Sequence, residues 1–313
     1  MTEKIATRDA YGKALAELGK LNENIVVLDA DLSKSTKTAV FQKEFPNRFF
    51  NMGIAEQNLM GTAAGLSAAG KIPFASTFAM FATGRAFEII RNSICYPKLN
   101  VKICATHAGI TVGEDGASHQ SLEDLACMRA IPNMVVINPA DAVSTKKAIF
   151  AVADYYGPVY VRLGRLNVPV IYDDADFSFE IGKGIEVKGG KDVTLVATGV
   201  MVAEALRARD ILAQEGIEAR VVDIHTIKPI DKEILVKAAS ETGAIVTAEE
   251  HNIIGGLGSA VAEVLVEHKP VPMKRVGTRD TFGESGKPDV LMKKYGLTAE
   301  AIVESAKAAI AMK

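Results

Sequence analysis

Residues 101–125 read V-K-I-C-A-T-H-A-G-I-T-V-G-E-D-G-A-S-H-Q-S-L-E-D-L. An apolar run over 101–105 feeds directly into a stretch that carries His107, Glu114, Asp115 and His119. Gly109, Gly113 and Gly116 punctuate it, and glycine lets backbone turn tightly and approach a ligand. Imidazole and carboxylate are the side chains that move protons near neutral pH. Any one of them fits equally well as a helix cap or a surface charge. Together, on one Gly-rich loop behind a buried strand, they predict an active-site loop.

Working outward, apolar strands alternate with helices. The first half predicts a helix over 8–21, a strand over 25–29, a small-residue helix over 55–69 and helical turns over 87–93. Strands over 101–105, 135–138 and 159–163 follow, with a helix over 141–155. The pattern breaks over 166–190 at Pro169 and the acids Asp173, Asp174 and Asp176, which marks a boundary. Beyond it, strands over 192–198, 219–224 and 244–248 alternate with helices over 202–215, 231–240 and 258–267. The expectation is an α/β protein of two βα domains with mostly parallel sheets covered on both faces. The domains would span 1–168 and 191–313, with a linker over 169–190. In such sheets ligands sit beyond the C-terminal strand ends. Asp29, Asp31, the 107–119 loop, Arg162 and Arg165 all fall there.

Composition bounds the chemistry. A chain of 313 residues, 48% hydrophobic and 24% charged, with mean hydropathy +0.14, is long enough for two cores. Its net charge of −2 gives no field to recruit nucleic acid or anionic lipid. No apolar run reaches bilayer length, and the polar N-terminus lacks a signal-peptide core. Cys95, Cys104 and Cys127 have no metal-ligand spacing and read as reduced thiols, so a cytoplasmic location is expected.

Other residues admit two readings each. Glu56 opens a helix otherwise built of small and apolar residues, where an acid suits the helix dipole but also suits a ligand. Phe78 and Phe81 make an aromatic pair suited to core packing or to one wall of a ring pocket. Arg8, Ser33, Ser35, Arg91, Arg162 and Arg165 offer anion-binding groups or ordinary ion pairs. Gly255, Gly256 and Gly258 open a helix behind Glu249, Glu250 and His251, and predict a tight turn rather than an anion loop. There is no P-loop, G-x-S-x-G or C-x-x-C.

In order along nearly the whole chain, six segments resemble the C-terminal two-thirds of transketolase. They are A-D-L-S-K-S (30–35), N-M-G-I-A-E-Q-N (51–58), S-T-F-A-M-F (76–81), T-H-A-G-I-T-V-G-E-D-G-A-S-H-Q (106–120), R-L-G-R-L-N-V-P (162–169) and V-V-D-I-H-T-I-K-P-I-D (221–231). The resemblance implies a pyrimidine-binding domain of a thiamine diphosphate enzyme followed by a transketolase C-terminal domain. It implies Glu56 as the carboxylate on the aminopyrimidine nitrogen, Phe78 and Phe81 packed on that ring, and Asp31 near the thiazolium. It further implies that His107 and His119 line the donor ketose and move protons, and that Asp115 recognises a hydroxyl. Arg8, Ser35, His107 and Arg165 match positions that hold the sugar phosphate.

The family's G-D-G…N motif, which holds Mg2+ (or Ca2+) and the diphosphate, has no counterpart here, since Glu114-Asp115-Gly116 belongs to the other motif. The chain therefore resembles the C-terminal subunit of a split transketolase, with no metal ligands of its own. A diphosphate-binding N-terminal partner and an α2β2 assembly are implied. The implied reaction moves a two-carbon ketol unit from a ketose phosphate to an aldose phosphate, as in pentose phosphate metabolism. A subunit of a deoxyxylulose phosphate synthase-like or 2-oxoacid dehydrogenase-like enzyme, or a non-catalytic regulatory partner, are the competing readings. A third aromatic that often follows the Phe pair is missing, with Thr83 and Gly84 in its place.

Overall fold

The computed structural model describes residues 3–313. The first half contributes β1 (Lys4–Ala6), β2 (Ile25–Asp29), β3 (Phe49–Asn51), β4 (Ile72–Ser76), β5 (Lys102–Ala105), β6 (Val135–Ile137), β7 (Val159–Arg162) and β8 (Asn167–Pro169). The second contributes β9 (Ile185–Lys188), β10 (Val193–Ala197), β11 (Ala219–Asp223), β12 (Thr226–Lys228), β13 (Ile245–Asn252) and β14 (Met273–Thr278). A seven-stranded sheet runs β12-β6-β7-β5-β4-β2-β3 and a five-stranded one β14-β13-β10-β11-β9. Within these two sheets pairing is parallel except at β12 and β9, and β1 and β8 form a separate antiparallel pair. Strands β2, β10 and β11 are buried along their whole length, as helix-covered parallel strands require. The α/β architecture with mostly parallel sheets is therefore the observed one.

Several elements lie outside the sequence expectation, among them β1, β3, β8, β14 and the helix Ala299–Ile310. β9 lies inside the stretch 169–190 read as a linker, because its half-buried side chains leave no apolar run. β12 comes from the second half but pairs antiparallel with β6 of the first sheet, Thr226 opposite Ile137. β4 was disguised by Pro73, yet it sits between β2 and β5 in the middle of that sheet. The turns expected over 87–93 are a short helix, Phe87–Ile89, between two π-helical turns, Phe81–Arg85 and Ile90–Cys95.

One apolar cluster spans the boundary, joining Leu28, Ile103 and Val136 to Val196, Val222, Leu235 and Val261. The two halves thus share core rather than hang from a hinge. In the larger sheet, the connection after β2 leads outward to β3, while the one after β4 leads the other way to β5. The loops beyond the C-terminal ends of β2 and β4 face each other across that reversal, where open α/β sheets bind ligands.

Candidate active site

The loop after β2 is built around a buried carboxylate. Asp29 accepts from the Leu32 N–H at 2.6 Å and from the Thr36 and Thr38 hydroxyls at 2.6 and 2.9 Å. Asp29 therefore shapes the segment carrying Ser35. Burial raises its pKa, and those three donors pull the other way. Asp31 is exposed with φ +64°, a left-handed position that Asp tolerates. Asn51 pins it by accepting from its N–H at 3.1 Å and donating to its carboxylate at 2.9 Å.

The segment after β4 carries the aromatic wall. Phe78 and Phe81 stack with centroids 5.9 Å apart and planes at 16°. A π-helical turn, a wide turn often found at functional sites, runs from Phe81 to Arg85. The Arg85 guanidinium lies 5.1 Å from the Phe81 centroid and donates to both carboxylate oxygens of Glu56, at 3.2 and 3.1 Å. Glu56 is 2% exposed and opens the helix Glu56–Ala68, so Arg85 supplies its countercharge. Sequence reading missed Arg85 entirely; its signal was its place four residues after Phe81. Where a third aromatic was expected, Thr83 is buried and donates to the Ala79 carbonyl at 2.8 Å.

The loop after β5 brings the histidines to this wall. His107 stacks on Phe78 at 3.8 Å, and His119 meets Phe81 edge-on at 5.3 Å. His107 is 3% exposed, and Arg8 lies 3.1 Å from its Nε2. Arginine only donates, so Nε2 accepts and the ring proton sits on Nδ1, which donates to the Thr106 hydroxyl at 2.8 Å. Burial, then the cations Arg8 and Arg165, push the His107 pKa down to about 3. His107 is thus a neutral ring held between Arg8 and the Thr106 hydroxyl. His119 is half-buried beside the Ser118 hydroxyl, and Asp115 stands exposed at the end of the turn Ile110–Asp115.

Arg8 also donates to the backbone carbonyl of Ser35 at 3.1 Å, while its buried Nε has no acceptor. Arg165 donates to the Val112 carbonyl and to exposed Glu114 at 3.0 Å. Arg8, Arg165 and Lys37 all act on His107, so positive charge gathers at this end of the site. Arg162, the other strand-end arginine, is different. It is buried and paired with Asp124 at 2.8 Å, so it belongs to the scaffold. The Gly255–Gly258 segment is indeed a turn, and the anion at the helix behind it is the protein's own. Glu249 accepts from the N–H groups of Leu257 and Gly258 at 2.6 and 2.8 Å.

The structure thus links Glu56, Phe78, Phe81, His107, His119 and Arg8 through consecutive contacts beyond the strand ends, with Arg165 close enough to act on His107. A family model for the transketolase pyrimidine-binding domain matches residues 3–170, and one for the transketolase C-terminal domain matches residues 182–302. The chain is 59% identical over 299 residues to a putative transketolase C-terminal section from Methanocaldococcus jannaschii, covering 95% of this chain and 94% of that protein. It is 41% identical to transketolase of Rattus norvegicus over 97% of its own length but 49% of the rat protein. A solved structure described as a split gene transketolase, inactive β4 tetramer, superposes with TM-score 0.93 at 64% identity, covering 99% of each chain. The chain belongs to the transketolase family and carries its pyrimidine-binding and C-terminal domains, in the manner of the C-terminal half of a split transketolase.

Proposed function

We propose that this chain is the pyrimidine-side subunit of a cytoplasmic, thiamine diphosphate-dependent transketolase that moves a two-carbon ketol unit between sugar phosphates. The observation that carries the reading is the buried Glu56 carboxylate, joined through Arg85 to the Phe78–Phe81 wall with both histidines against it. Those residues fit an aminopyrimidine: a flat apolar wall for the ring and an anion for its protonated nitrogen. When bound, the cofactor supplies the electron sink for breaking the ketose carbon–carbon bond.

Glu56 holds the proton on the pyrimidine nitrogen through a charge-assisted hydrogen bond. Phe78 and Phe81 exclude water from the ring, and Asp31 borders the cofactor's other end. His107, neutral and locked, orients a donor hydroxyl, and His119 is left to move the proton there. Asp115 accepts from the hydroxyl beside the carbonyl. Arg8, with Arg165 and the Ser35 segment, binds the sugar phosphate; a buried Nε without an acceptor and converging cations suit a dianion.

The Mg2+ and diphosphate site belongs to a partner chain. Supporting this are the near full-length matches to a transketolase C-terminal section and to a split gene transketolase. The partner docks beside Glu56, where Ile54 is 79% exposed and Gly61 and Gly65 of the Glu56–Ala68 helix face open space. An α2β2 assembly follows. Purified alone, the chain should be inactive in ketol transfer, and mixing it with a chain bearing the G-D-G…N motif should restore Mg2+-dependent turnover. In the mixture, Glu56→Gln should abolish exchange of the cofactor C2 proton in D2O while leaving assembly intact. Full activity of the chain alone, or unchanged exchange in Glu56→Gln, overturns the reading.

A further inference from the structure

The loop over 106–122 is held from both domains; from the first, the Gln120 side chain donates to the Ile110 and Gly113 carbonyls, each at 3.2 Å, and Arg165 donates to the Val112 carbonyl. Gly109, Gly113 and Gly116 sit at φ +86°, +82° and +77°, and within the first domain its two ends are tied by the Gly109 N–H to the Ser121 carbonyl at 2.9 Å. Ordering backbone costs conformational entropy, and glycine has the most freedom to lose. Arg8, Thr106 and Phe78 fix the His107 ring within the first domain, but the Thr111 N–H of the loop backbone is met from outside it. The second domain provides that contact. Glu250, at 4% exposure in β13, accepts from the Thr111 N–H at 2.7 Å. Its carboxylate lies so close over Gly109 that a Cβ there would overlap it, which explains the glycine. The Asn252 N–H donates to the Leu122 carbonyl at 2.8 Å, and the Gln120 side chain donates to the Glu284 carbonyl at 2.9 Å.

Glu250 is itself fixed from behind. Arg162 donates to its backbone carbonyl at 2.9 Å, and Asp124, which also accepts from the Tyr160 hydroxyl at 2.8 Å, pairs with that arginine. The carboxylate thus stands on a rigid, fully buried frame spanning both domains. Glu250 reaches the histidines only through loop backbone, at Thr111 and Gly109.

We propose that Glu250 is a positioning residue through which the C-terminal domain sets the geometry of the His107–His119 loop. This gives the C-terminal domain a part in the site despite lying outside the aromatic wall. The consequence for ketol transfer rests on the function proposed above; the consequence for the loop does not.

The variants to compare are Glu250→Gln, which keeps the volume and an acceptor, and Glu250→Asp, which withdraws the acceptor from Thr111 but leaves the backbone bond to Arg162. Glu250→Ala removes both acceptor and volume. Imidazole nitrogen–proton NMR of the chain alone reads five histidines, of which His225 and His268 lie away from the loop and serve as controls. In Glu250→Asp and Glu250→Ala the His107 and His119 signals should shift or broaden while the controls stay. Glu250→Gln should restore the wild-type spectrum. In the mixed enzyme, Glu250→Asp should lower kcat for ketol transfer about tenfold or more, the size of effect that small misplacements cause, with C2-proton exchange, governed at Glu56, held within about twofold. Unmoved His107 and His119 signals in Glu250→Asp, or equal loss of exchange and transfer, would overturn the assignment. A wild-type mixture without transferase activity would sink the proposed function and leave the spectral arm standing.

Discussion

His107 illustrates how far the tertiary environment can set the chemistry of one residue. An imidazole near its ordinary value titrates around neutrality, but here burial and two arginines push the pKa down to about 3. Its ring signals should therefore show no protonation between about pH 8 and about pH 5. Protonation within that window would contradict the Arg8-accepting tautomer. The linked stability has a definite sign. Because the folded value is depressed, the contribution is complete above about pH 6.5 and drains away as pH falls toward about 3. Arg8→Ala should raise KM for phosphorylated sugars far more than for non-phosphorylated analogues, by about ten- to a hundredfold for about 1.5–3 kcal/mol. Equal losses on both substrates would make Arg8 a holder of His107 and nothing more.

At the scale of elements, buried acids do the joining. Asp141 caps the helix Ala142–Asp154 by accepting from the Ser144 N–H at 2.8 Å, while its other oxygen accepts from the N–H groups of Ile171 and Tyr172 at 2.7 and 3.0 Å. One carboxylate thereby satisfies a helix end and the segment leading out of β8. Asp141→Ala should destabilise the protein by about 3 kcal/mol, more than an exposed cap, because several buried donors lose their acceptor. Denaturant titration reads this as a lower midpoint with unchanged slope; a loss under about 1 kcal/mol would mean water replaces the carboxylate. Glu249 has the same task at the helix Leu257–His268. Only the helix start at Asp141 was legible in the sequence; nothing local announced that its second oxygen serves Tyr172 or that Glu249 caps a helix eight residues on.

For the whole molecule, the shared apolar cluster and β12's place in the first sheet predict one cooperative unit. Scanning calorimetry at fixed protein concentration should give a single transition, and residues 1–170 expressed alone should not fold cooperatively, having lost β12 and about a third of that core. Two resolved transitions would show that the domains are independent. Most of the buried strands were legible beforehand because burial on both faces demands unbroken hydrophobic runs, but β14 and the helix Ala299–Ile310 were not read. β9, β12 and β4 were not, since edge strands need no such run and Pro73 hid a central one.

By itself the sequence determined the alternation of strands and helices and the two-domain order, because these rest on periodicity and on contiguous motifs, and its resemblance to transketolase singled out Glu56, Phe78, Phe81, His107 and His119 as candidates. Only the tertiary structure decided that Arg85 closes on Glu56, that Arg162 is scaffold while Arg8 and Arg165 face the site, and that Glu250 holds the loop. Those pairings span 29 to 139 positions along the chain. Charge pairing depends on distance in space and on burial, and neither can be read from spacing along a chain.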